Sequence, residues 1–114
     1  MSKEEDIKQI ELTIESAQEA VAMRDALRRL VRNPDYDKII NSEYFQNEPA
    51  RLVLTKAEPA MDTPEKQKAI MHSIDAIGHF RQYLQSIMQV GRMAEQSIED
   101  NENERSLILE SDEE

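Results

Sequence analysis

The 114-residue chain has no cysteine and no tryptophan, and only two glycines, four prolines and five aromatic residues. Without cysteine there is no disulfide framework, thiolate nucleophile or thiolate metal site, which suits a reducing compartment. Two isolated glycines, Gly78 and Gly91, cannot build a phosphate-cradling loop. They are also too few for a strand-and-turn fold, which uses glycine at its turns and aromatic or β-branched residues along its strands. No apolar run approaches the roughly 20 residues needed to cross a membrane. The start, Met1 to Asp6, is acidic and has no apolar signal core. These absences predict a soluble intracellular protein that meets no membrane.

What is present points to helices. A third of the residues are charged, and the apolar content is Ile, Leu, Ala, Val and Met. The length predicts one domain. The net charge of −10 is unevenly spread. From Glu95 to Glu114 there are nine acids and one base, Arg105, for a net −8; the first 94 residues carry only −2. Such a balance disfavours direct nucleic-acid binding, which needs clustered Lys and Arg. The one basic cluster, Arg24, Arg28, Arg29 and Arg32, falls at a predicted helix C-terminus, where cations complement the helix dipole.

Periodicity predicts a first long helix from Lys3 to Arg32, with Ile7, Ile10, Ile14, Ala17 and Val21 on one stripe. Asn33-Pro34 ends it and caps a short helix to about Asn41. Tyr44 and Phe45 fall in an aromatic step over 42–46. Asn47-Glu48-Pro49 repeats the cap-plus-proline pattern and opens a second short helix that ends before Pro59. Asp62 or Thr63 caps a last long helix, Pro64 to Asp100. Its stripe is Ile70, Ile74, Ile77, Phe80, Leu84, Ile87, Gly91, Ala94 and Ile98. The predicted fold is all-α: two long helices packed antiparallel with two short helices between them. Residues 1–100 form the helical domain, and 101–114 an acidic disordered tail. The same stripes allow either a pair within one chain or a homo-oligomer.

Chemistry is hard to find in this pattern. His72, Asp75 and His79 share a helix face, but ligands seven residues apart lie about 10 Å apart along the axis, and a closed set of four is absent. Ser73, Ser86 and Ser97 lie within a helix, away from any nucleophile elbow. The sequence therefore predicts no catalytic residue, no cofactor and no metal site. Two features suggest contacts instead. Leu107-Ile108-Leu109, flanked by Glu110 and Asp112, reads as a short docking motif with an apolar anchor and steering acids. Gly91 and Ala94 offer a small-residue surface that another helix can approach closely.

Several motifs together carry a resemblance. These are Asn33-Pro34-Asp35-Tyr36, Glu43-Tyr44-Phe45, Glu48-Pro49-Ala50-Arg51-Leu52-Val53, Ile74-x-x-Ile77-Gly78-x-Phe80-x-x-Tyr83-Leu84 and Gly91-x-Met93-Ala94-Glu95. Over residues 30–98 the chain resembles small acidic helical proteins of tailed bacteriophages, encoded among virion structure and assembly genes. The resemblance implies a non-enzymatic assembly factor or minor structural component, in the host cytoplasm or the virion, whose partner is a protein. It transfers no functional residue. An alternative expectation is an anti-host inhibitor whose acidic surface mimics nucleic acid.

Overall fold

A computed structural model describes residues 2–112. Among them there is no strand, and long α1 (Lys3–Val31) packs on long α4 (Pro64–Asp112). Between these come α2 (Pro34–Tyr36), a π-helical stretch (Asp37–Asn47), α3 (Glu48–Lys56) and a 3₁₀ turn (Pro59–Met61). The all-α reading holds.

The helix ends follow local chemistry. Ser2 caps α1: its Oγ accepts the Glu5 N–H at 3.2 Å, ahead of the acidic first turn Glu4, Glu5 and Asp6. Asn33 is extended, as the residue before a proline prefers, and its side chain accepts the Asp35 N–H at 2.8 Å. Thr63 caps α4 by accepting the Lys66 N–H at 3.3 Å. Side chains of α4's first turns satisfy the preceding loop. Gln67 Nε2 donates to the carbonyls of Met61 (2.6 Å) and Lys56 (3.0 Å), and Lys66 Nζ to that of Ala60 (2.8 Å).

The predicted break over 42–46 is absent. Asn47 is helical and caps nothing with its side chain. The chain instead stays helical from Pro34 to Lys56 by widening its turns. The Glu48 N–H donates to the carbonyl of Glu43, five residues back, and Pro49 follows at once. In α register the Pro49 ring would crowd the carbonyl four residues back. Widened i→i+5 turns offer the chain another path past that point. They also narrow the angle between successive side chains, so neighbours Tyr44 and Phe45 both reach Phe80, with ring centroids 6.0 and 5.6 Å away.

The chain divides into two compact units. The aromatic unit, Arg28–Gln85, has a core of Leu52, Ile70 and Ile77, with Tyr44, Phe45, Met61 and Ile74 packed against it. The paired-helix unit joins the chain up to Leu27 with the chain from Ser86 onward. There the two helices run antiparallel. Lys3 Nζ donates to Ser111 Oγ at 3.1 Å, Arg105 lies 4.0 Å from Glu11, and Arg24 reaches Glu95 at 2.7 Å. Ile10, Ile14, Leu27 and Ala94 are its buried apolar residues.

The predicted disordered tail is corrected over 101–112. Residue 100 is no boundary, because α4 continues to Asp112. Asn101, Arg105 and Ile108 are half-buried and recur at helical spacing, so they extend the stripe of Ala94 and Ile98. Asn101 satisfies its own amide by donating to the Ser97 carbonyl at 2.7 Å. Glu113 and Glu114 lie outside the described residues.

Candidate functional site

The paired-helix unit is held by an unusually close approach. Gly91 is buried, and a Cβ built on it would lie 2.3 Å from Arg24 Cβ and under 3 Å from Arg24 Cδ and Cγ. Only glycine lets the Arg24 stem cross α4 there. The Arg24 side chain is 4% exposed, and its guanidinium donates to Glu95 and to Asp25. The Glu95 hydrogen bond, opposed by desolvation and aided by Asp25, holds the Arg24 pKa above its ordinary value. Gly91 therefore serves a contact within this chain, while Ala94, also buried, lines the groove beside it. Arg24 also leaves the predicted basic cluster, whereas Arg28, Arg29 and Arg32 are exposed.

Beside this seam runs an open groove. One part, about 720 Å³, is lined by Glu5, Asp6, Gln9 and Leu12 of α1 and by Glu104 and Ile108 of α4, with Lys8 as its cation. The other, about 580 Å³, is lined by Ala17, Ala20, Val90, Met93 and Ala94. Gln9, Leu12 and Thr13 line both parts, so the groove is continuous along the unit. From Glu5 to Ala20 it spans about 22 Å at 1.5 Å per residue. Its wall is graded. One end is apolar, the middle carries Thr13, Ser16 and Ser97, and the far end is acidic. Leu12, Val90 and Met93 all line the groove and are each more than half exposed, and exposed apolar side chains set in one groove are of the kind that marks interaction sites.

The helix disperses the predicted docking triplet. Successive residues point about 100° apart on an α-helix. Ile108 turns into the groove, while Leu107 and Leu109 are exposed and line no part of it. Glu110 is exposed on the same helix, and the side chain of Asp112 lies outside the described residues. The acidic part of the groove escaped the sequence reading because the apolar stripe of α4 ends at Ile98. The spacing of Asn101, Arg105 and Ile108 was the available signal.

Other candidates form no site among the described residues. His72, Asp75 and His79 are exposed on α4, and among the described residues no three His, Asp or Glu are grouped to hold a metal. Ser73 Oγ donates to the Ala69 carbonyl at 3.1 Å, an ordinary helix back-bond. In the aromatic unit the Tyr36 hydroxyl is buried with no hydrogen-bond partner among the described residues, and burial raises its pKa. No described helix is long and apolar enough to cross a membrane. Comparison with protein families, curated proteins and solved structures finds no match to this chain.

Proposed function

We propose that this chain is a non-enzymatic interaction protein of a tailed bacteriophage, acting in virion assembly by packing its paired-helix unit against a protein partner. The groove is the observation that carries the reading. It is an apolar surface on a two-helix layer, and such a layer has one face left to bury. The charge supports a protein partner with a basic surface. The paired-helix unit holds sixteen acids and five bases, a net −11, and the aromatic unit eight acids and nine bases.

One observation favours a second reading, an inhibitor that mimics nucleic acid. Such a mimic needs carboxylates fixed along a rigid surface. Glu95, Glu99, Asp100, Glu102, Glu104 and Glu110 all stand on α4. The test is affinity capture of the tagged full-length protein from phage-infected cells, with mass spectrometry of what co-purifies. Portal, capsid or scaffold components are expected under the assembly reading. A single host enzyme with a nucleic-acid groove, lost when the α4 acids become amides, would overturn it in favour of the mimic.

A further inference from the structure

We propose that the groove of the paired-helix unit binds a cationic amphipathic helix of a protein partner, an inference that rests on the interaction reading above. The lining selects a helix. Ala17, Ala20, Ala94, Ser16 and Ser97 are small, so a third helix can approach the first two closely. The groove's length of about 22 Å takes roughly four turns. The described residues contain no strand and thus offer no sheet edge for an extended peptide.

The gradient along the groove sets the partner's pattern. Apolar side chains at one end meet Val90 and Met93, and another about three turns on meets Leu12 where the two parts of the groove join. Lys or Arg at the other end meet Glu5, Asp6 and Glu104, with Lys8 the sole opposing charge. Charge also argues against the paired-helix unit of a second copy as the occupant. Of this unit's five bases, Lys3, Arg24 and Arg105 are engaged within it. A second paired-helix unit would therefore bring mainly carboxylates to a groove that already carries carboxylates, a like-charge juxtaposition that costs affinity.

The test is a fluorescence-anisotropy titration of the purified protein with a labelled synthetic helix of about 16 residues, Leu and Ala on one face and Lys gathered at one end. A control peptide carries Glu for every Lys. Binding of the cationic peptide alone is expected. Leu12→Asp and Met93→Asp, both at exposed positions, should each weaken it about tenfold with unchanged circular dichroism. Glu5→Gln with Glu104→Gln should weaken it about threefold and flatten its salt dependence. Equal binding of the Glu peptide, or affinity indifferent to Leu12→Asp and Met93→Asp, would overturn the proposal. So would a peptide-free dimer in sedimentation that either Asp variant dissolves, because the occupant would then be a second copy. The assay contains no phage component. Its failure leaves the capture result standing, and failure of the capture leaves the groove's preference measured.

Discussion

The two units solve stability in opposite ways. The aromatic unit is near neutral and gathers Leu52, Ile70, Ile77 and three aromatic rings around one core. The paired-helix unit carries −11 and buries few apolar side chains, drawing its helices together over Gly91 and a buried arginine. Two helices enclose little volume, so close approach takes the place of bulk there. The aromatic unit holds the larger apolar cluster, and the paired-helix unit carries the groove on which the proposed interaction rests.

The strongest way to break this contrast is to empty the aromatic core. Leu52 is 6% exposed and central to its cluster. Leu52→Ala should cost about 2–5 kcal/mol, as buried leucine truncations do. Urea denaturation measures the loss, and native-state hydrogen exchange should place it first in residues 28–85. Protection lost equally in both units would mean that they do not differ as described.

The two glycines give the sharpest paired test. Gly91→Ala forces a Cβ into the Arg24 stem. Overpacking of this kind costs about 1–3 kcal/mol, against a helix-propensity gain of about 1 kcal/mol. A net loss of up to about 2 kcal/mol is expected. Gly78, in the aromatic unit, has nothing within 4 Å of the added atom. Gly78→Ala should therefore keep the full gain of about 1 kcal/mol. Opposite signs by thermal unfolding support the close-approach account, and equal signs contradict it.

Tyr36→Phe belongs to the aromatic unit and should stabilise by about 1 kcal/mol, because a buried hydroxyl without a partner is a cost. Burial raises the Tyr36 pKa above 10.0, which favours the neutral phenol in the folded state. Wild-type stability should fall as pH rises beyond about 10, where the unfolded phenol ionises first. The Phe variant should lose that part of the alkaline decline, measured as midpoint against pH.

These tests also mark what was legible in the sequence. Helix class, the Asn33 cap, α4's start at Pro64 and the small residues at Gly91 and Ala94 were readable, because capping and apolar spacing are local signals. The π-helical stretch was not. Asn47-Glu48-Pro49 has the composition of a helix start, yet the chain stays helical through it, with Tyr44 and Phe45 packed onto Phe80. The end of α4 was misread for a related reason. Asn101 and Arg105 occupy inward positions that an apolar template scores as polar, yet each finds a partner there, Ser97 and Glu11. The acidic part of the groove depends on that extension and was hidden with it.

The smallest expected effect concerns Glu48 and Arg51 on the surface of the aromatic unit. Arg51 donates through both Nε and Nη2 to the Glu48 carboxylate one turn away. This hydrogen bonding lowers the Glu48 pKa below its ordinary 4.5, against a smaller opposing desolvation. A depressed carboxylate contributes stability above its unfolded pKa and loses it as pH falls through the folded value. Arg51 is exposed and Glu48 half-buried at the surface, where ion pairs contribute little, so Glu48→Gln should lower the midpoint only slightly at pH 7. Below the folded pKa of Glu48 the variant and the wild type should coincide. A gap that persists in acid would mean that Glu48 acts through packing at the π-to-α junction, where its N–H closes the last wide turn on Glu43, and the pair would then belong to the backbone transition instead of the surface charge.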